Sequence, residues 1–293
     1  MFSRFRAFSF LIAATAFALP AHARIAWAEG VSEKRGWFDV NKNWETDKNH
    51  CWIASAANII AWWQAKIDKK QIPEGTPQGV EEIFSTISNT FIDSGRGANI
   101  AWKWYFGGCD LVPVCYERDF RNPETARTSG RFWQKNILRK YGWTEPRDGV
   151  PVYIESGAGV DVSPEQRYAE TLAQTFVRLF AEGKGITIDL NPGGDFPQGH
   201  AITLWGIEYE KDRIKAVYVT DSDDRTKALK KYDVAYVTSK ETAGDGKPDG
   251  TPITVWEKTT VRLRNYYGSN HYGIQNWAAL GLPTPSKNVK KTK

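Results

Sequence analysis

The chain has 293 residues, of which 13% are aromatic, including 13 tryptophans, and 25% charged, with a formal net charge of +5. That much aromatic and apolar material supplies a packed core and excludes disorder for the body of the chain. Lysines and arginines are scattered among acids rather than striped along one face, which excludes a nucleic-acid partner.

Residues 1–23 begin with Arg4 and Arg6, run apolar from Ala7 to Leu19 and end in Ala21-His22-Ala23. This is the order of a secretory signal peptide and its cleavage motif, and the run is shorter than the ~20 apolar residues of a membrane span. The expectation is a protein secreted or left in the periplasm, with no membrane association after cleavage. A mature domain over 24–283 and a basic, frayed tail over 284–293 follow from the same boundaries. Removal of Arg4 and Arg6 brings the formal charge from +5 to +3.

Asp47 to Trp63 has the pattern of a loop feeding a helix. Asp47 and Asn49 are candidate N-caps, and Ala54, Ser55, Ala56 and Ala57 admit close backbone approach. Ile53, Ala57, Ile60, Trp63 and Ile67 recur at helical spacing. Cys51 falls in the first turn. A thiol there faces the positive end of the macrodipole and unpaired N–H groups, which lower its pKa and can hold an oxyanion. Against this, a lone Cys is among the most buried residue types and commonly serves as a small hydrophobe.

Three cysteines in an exported chain leave one odd thiol. Cys109 and Cys115 share a turn-rich stretch and either close a small disulfide loop, leaving Cys51 free, or stand as two reduced thiols. Beyond the leader, His50, His200 and His271 show no ligand spacing with the cysteines, so neither a metal nor a cofactor is expected.

After a break at Pro73 to Gly79, Val80 to Asn89 predicts a short helix, and Ser129 to Tyr141 another. Trp102, Trp104, Tyr105 and Phe106 cluster between them, a grouping that favours packing over recognition. Ser163 to Gly183 predicts a helix with Ser163 as N-cap, Pro164 at its first position and Gly183 as C-cap.

Beyond it the period changes from 3.6 to 2. Strands are predicted at Gly185 to Leu190, His200 to Tyr209, Ile214 to Asp221, Val234 to Thr238 and Ile253 to Leu263, with a hairpin at Glu210 to Arg213. If that turn centres on Lys211 and Asp212, His200 lies opposite Asp223 and Ile202 opposite Asp221, all on one face. An imidazole at the start of one strand then meets carboxylates at the end of the next, which are the base and orienter a thiol nucleophile needs. His50 and His271 are rival bases. The first is adjacent to Cys51 and points elsewhere on the helix, and the second has no carboxylate in its own stretch.

A cysteine on a helix followed by His and an acid on a later sheet is the chain order of papain-like peptidases. Asp39-Val-Asn-Lys42, the block from Cys51 to Trp63, His200-Ala-Ile-Thr-Leu-Trp-Gly206, Ala216-Val-Tyr-Val-Thr-Asp-Ser-Asp223 and Lys230-Lys-Tyr232 resemble the IdeS/Mac family. Its members are secreted, papain-like cysteine endopeptidases that cleave immunoglobulin G near its hinge. The blocks keep the family's order between Trp37 and Val237.

The resemblance implies an α+β, papain-like fold in which a helical subdomain led by the Cys51 helix packs on an antiparallel β-sheet subdomain. It implies Cys51 as nucleophile, His200 as base, Asp221 as the residue orienting His200 and Asp223 as a second acid. Lys42 matches a lysine whose ammonium helps form the oxyanion hole, and a fixed cation beside the thiolate suits that chemistry. No cofactor is implied. His50 and Trp52 depart from the family pattern around the cysteine, and Cys109 and Cys115 have no counterpart in it.

The expected activity is hydrolysis of peptide bonds in a protein substrate. Host immunoglobulin is the substrate of the family, but a shared triad does not carry a shared substrate. The same chemistry would serve a cell-wall amidopeptidase or an acyl transferase of the envelope. From another class, a non-catalytic exported binding module would display the Trp102 to Phe106 aromatics.

Overall fold

The computed structural model describes residues 23–108, 117–133, 153–161, 170–192, 199–243 and 254–281. A short strand β1 (Arg24–Trp27) precedes the helices α1 (Cys51–Gln64), α2 (Val80–Thr90), α3 (Ala98–Gly107) and α4 (Pro123–Thr128). Strands β2 (Tyr153–Ala158) and β3 (Val160–Asp161) and helix α5 (Leu172–Ala181) come next. From there the elements among the described residues are all strands: β4 (Gly185–Asn191), β5 (His200–Glu210), β6 (Arg213–Thr220), β7 (Lys230–Ala243), β8 (Thr254–Leu263) and β9 (Gly273–Gly281).

Strands β4 to β8 pair in sequence as an antiparallel meander, and β9 returns to pair with β4 along its length and with β8 through Arg262 opposite Gly273. The sheet thus closes into a six-stranded antiparallel barrel, which removes its open edges. The three short strands add at its margins, β1 to β5, β2 to β9 and β3 to β8.

This architecture overturns the expected papain-like α+β layout of a helical subdomain packed on a sheet subdomain. The described chain is mostly β, built around a closed barrel with a few helices against it. The sequence does not announce the closing strand. Gln275 and Asn276 are adjacent polar residues, and Ala278 and Ala279 adjacent apolar ones, so β9 lacks the period of two that marks a half-buried strand. Without it the other strands read as an open sheet.

Smaller differences have local causes. Of the helix expected over Ser163 to Gly183, Leu172–Ala181 is helical, opened by a capping box of Thr171 and Gln174, and Ser163 and Pro164 lie outside the described residues. Ser129 to Trp133, expected to open a helix, is not helical; α4 ends before it. The leader, Cys109 and Cys115, and the basic tail lie outside the described residues.

Helix α1 is the element that positions the site. All 14 of its residues are buried, with β4 and β5 on one side and α2 and α3 on the other. A helix this apolar, with its few polar side chains hydrogen-bonded or small, belongs in such a layer. Its approach to β4 requires glycine: a Cβ on Gly185 would sit 2.6 Å from Ile59 Cγ2. Trp102, Trp104, Tyr105 and Phe106 are all at most 1% exposed, so the aromatic cluster is core.

Buried polar groups fix the register between these layers. The Asn58 side chain accepts from the Val40 N–H at 3.1 Å and donates to Thr203 Oγ1 at 3.0 Å. Thr220 Oγ1 donates to the Phe38 carbonyl at 2.9 Å and accepts from Trp205 Nε1 at 2.8 Å. Unpaired, these groups would be costly in the core, so the bonds specify one placement of residues 38–42 across the ends of β5 and β6.

Candidate active site

The β5–β6 hairpin turns at Lys211 and Asp212, with Glu210 opposite Arg213. A bulge between Glu208 and Tyr209 shifts the register by one residue, and a second between Leu204 and Gly206 shifts it back. Thr203 therefore meets Thr220, the pairing an uninterrupted hairpin would give. The ladder stops at Thr203 and Thr220, and beyond it His200, at the start of β5, comes together with Asp221 and Asp223, just past β6, closer to Asp221 than to Asp223, the residue expected opposite it.

His200 Nε2 lies 2.7 Å from Asp221 Oδ1. Asp221 is 1% exposed and fully engaged. Its Oδ1 also accepts from the Asp223 N–H at 3.0 Å, and its Oδ2 accepts from Tyr266 OH at 2.5 Å and Tyr267 OH at 3.1 Å. Burial opposes its ionisation, but the bond and charge of His200, with the Tyr266 hydroxyl and the Asp223 N–H, bring its pKa down to about 2.

With Nε2 committed to Asp221, Nδ1 is the ring nitrogen left over, 3.8 Å from Asp223 Oδ2, and Cys51 and His200 are close enough to shift each other's protonation. The Ala201 N–H donates to Cys51 Sγ at 3.5 Å. Burial opposes the thiolate, yet the neighbouring His200 ring, the Ala201 N–H and the Lys42 ammonium outweigh it and lower the Cys51 pKa. Burial likewise opposes the imidazolium, and Asp221 and Cys51 together hold the His200 pKa well above its ordinary value. The two shifts favour a thiolate–imidazolium pair.

Lys42 reaches the same place from the loop before α1. Its N–H donates to the Ser222 carbonyl at 3.1 Å, and its ammonium lies 2.6 Å from both the Lys48 carbonyl and Asp223 Oδ1. An ammonium has three donors, so one remains for a bound group. Asp223 joins the two halves of the site, because its other oxygen is 3.8 Å from His200 Nδ1.

Cys51, His200, Asp223 and Lys42 line one open cavity of about 650 Å³, with Tyr266 and Tyr267 on its wall. Asp221 lies behind His200. Trp44 and Tyr267, 41% and 53% exposed, form an aromatic rim. The first turn of α1 leaves the Cys51 N–H without an intrahelical acceptor. The ligand atoms of His200, Asp221 and Asp223 lie within 4.8 Å of one another, but a cation there would have to displace the Lys42 ammonium from Asp223.

The expected caps of α1 are used otherwise. His50 occupies the N-cap position without a side-chain bond to the helix, and Asn49 donates instead to Asp93. His50 is fully buried, its ring between Ser88 Oγ and the Ile92 carbonyl, both at 2.8 Å, and so is not a rival base. His271 is exposed and not part of the cavity wall. Sequence patterns did not point to Tyr266 and Tyr267 as partners of Asp221. The only local signal was a tandem tyrosine before Gly268, and their left-handed neighbours, Asn265 at φ 54° and Tyr267 itself at φ 48°, make the tight turn that aims both hydroxyls at one oxygen.

Comparison with known proteins follows the same half of the site. A family model described as Mac 1 matches residues 182–247. That span holds His200, Asp221 and Asp223. The chain is also 22% identical over 228 residues to an IgM protease of Streptococcus suis (strain P1/7), an alignment covering 67% of this chain and 18% of that protein. The chain thus spans 18% of the length of this relative.

Proposed function

We propose that this chain is an exported cysteine endopeptidase that hydrolyses peptide bonds in a protein substrate of the immunoglobulin class. The observation that carries the chemistry is the meeting of Cys51 and an Asp221-bonded His200 on the wall of one open cavity, each shifting the other's protonation towards the ion pair. The substrate class rests on the similarity to an IgM protease and on the Mac 1 match.

In this reading the Cys51 thiolate attacks the scissile carbonyl, forming the C–S bond as the carbonyl electrons move to oxygen. The oxyanion is held by the Cys51 N–H and by the remaining donor of Lys42. The His200 imidazolium gives its Nδ1 proton to the leaving amine as the C–N bond breaks. The neutral imidazole then takes a proton from water, whose oxygen attacks the thioester, and collapse of that adduct releases the acid and the thiolate. Asp221 holds Nε2–H throughout and stabilises the imidazolium.

The test uses the mature chain and its Cys51→Ala variant with purified IgM, IgG, an unrelated protein and peptidoglycan. New N-termini are identified by mass spectrometry. Cleavage of an immunoglobulin heavy chain by the wild type alone is expected. Cutting that survives in Cys51→Ala would sink the mechanism. Cleavage of the unrelated protein with both immunoglobulins intact would remove the substrate class.

A further inference from the structure

A second cavity, of about 240 Å³, opens among the start of α3 and strands β2, β4 and β9. Gly97, Asn99, Gly157, Asp189, Asn276 and Trp277 are among its walls. It is continuous in chain and sheet with the catalytic centre. Gly95 lines the catalytic cavity, and the same segment runs on through Gly97 into this one. That segment is pinned beside Cys51 by Trp52, whose Nε1 donates to the Ser94 carbonyl at 2.8 Å. In the sheet, Asp189 pairs with Ala201, whose N–H contacts Cys51 Sγ.

The chemistry of the walls is that of a long side chain with a charged tip. Gly157 lies opposite Trp277, and a Cβ there would fall 2.7 Å from Trp277 Cζ2, so the indole packs directly against the β2 backbone. Phe176 meets the indole edge-on, at 6.2 Å between ring centres. The indole, 7% exposed and held by these contacts, makes a rigid apolar part of the cavity wall against which a methylene stem can lie. Asp189 supplies the polar end. It is half-buried, and no hydrogen bond from a described residue acts on its carboxyl; burial is the dominant influence and lifts its pKa to about 6, with the charge of His200 working the other way. An apolar occupant would leave that carboxylate desolvated and unpaired, and an anion would be repelled by it. The positive end of α3 in the same wall favours the ionised carboxylate.

We infer that this cavity is a subsite for a lysine or arginine side chain of the substrate, close to the scissile bond, with Asp189 as the residue that selects it. The inference rests on the peptidase reading above. The substrate's methylenes lie on Trp277, and its ammonium or guanidinium forms a charge-assisted hydrogen bond with Asp189.

The test separates the subsite from the nucleophile. Iodoacetamide, which has no side chain to place, reports Cys51 alone: the folded wild type should alkylate faster than the unfolded chain. Dipeptidyl acyloxymethyl ketones carrying lysine or arginine, or their neutral counterparts norleucine or citrulline, at each of the two positions then report the cavity. The rate of Cys51 modification is read by intact mass. A basic probe should react roughly tenfold or more faster than its neutral counterpart, the effect of one charge-assisted bond. In Asp189→Asn that ratio should fall towards one, and in Asp189→Lys it should invert. Equal rates for basic and neutral probes with a reactive Cys51, or a ratio unchanged in both variants, would overturn the subsite and leave the peptidase standing. A Cys51 no faster than an unfolded thiol would overturn both.

Discussion

The Lys42 ammonium sits 2.6 Å from Asp223 Oδ1 with its side chain 2% exposed, a cation fixed beside Cys51 from a loop that Asn58 and Thr220 hold in place. If its free donor serves the oxyanion, Lys42→Met should lower kcat about 10²–10³-fold with a smaller change in KM, as loss of one oxyanion donor does. Because Lys42 also lowers the thiol pKa, the pH profile of iodoacetamide labelling should move upward in the variant. An unchanged kcat would leave Lys42 as an anchor for Asp223 only.

Asp221 should govern both chemistry and acid stability. Asp221→Asn keeps an acceptor for His200 but removes the charge that sustains the imidazolium, so kcat should fall by roughly 10²–10⁴-fold. The folded pKa of about 2 lies below the ordinary 3.8. The carboxylate therefore contributes stability that is present above 3.8 and lost as pH falls towards 2, on the order of 2 kcal/mol. Tyr266→Phe, which deletes one donor to Oδ2, should cost about 2 kcal/mol in urea denaturation and move the acid limb of unfolding upward.

The thiolate–imidazolium pair sets a pH window. The thiolate forms as pH rises through the lowered Cys51 pKa, and the imidazolium is lost as pH rises through the raised His200 pKa. The midpoint of iodoacetamide labelling should therefore lie below that of a free thiol, while peptide hydrolysis, which also needs the proton on His200, should fall as pH rises through the raised His200 pKa. In His200→Ala the labelling midpoint should rise towards the ~8.5 of a free thiol. The His200 pairing also stabilises the fold fully below pH 6.5 and ceases to do so above its raised pKa.

Asp39 lies deep in the same region and has the opposite sign. Burial, with the Asp224 and Asp221 charges, raises its pKa to about 8 against the Ala228 N–H bond at 3.1 Å. An unfolded carboxyl ionises near 3.8, so the folded protein loses stability as pH climbs from 4 to 8. Asp39→Asn, which cannot ionise, should gain relative to wild type by a few kcal/mol between pH 5 and pH 8, measured as the difference in urea midpoints. A constant difference across that range would show that Asp39 does not titrate there.

What the sequence determined by itself were the local devices and their chemistry. The Cys51 helix, the alternation of β4 to β6, the turn at Lys211 and Asp212 and the residue types of the candidate site were all legible, because period, turn chemistry and side-chain function act within a few residues. Lys42 was legible only through the family blocks. Tertiary structure alone decided that β9 closes a barrel, that two bulges cancel in the hairpin, and that Tyr266 and Tyr267 converge on Asp221 from 45 and 46 residues away. Those outcomes depend on which strand meets which, and a strand such as β9, without alternation, is stabilised by its neighbours rather than by its own pattern. The distance between Cys51 and the β5 start that faces it, 150 residues along the chain to Ala201, is the measure of what local patterns cannot encode.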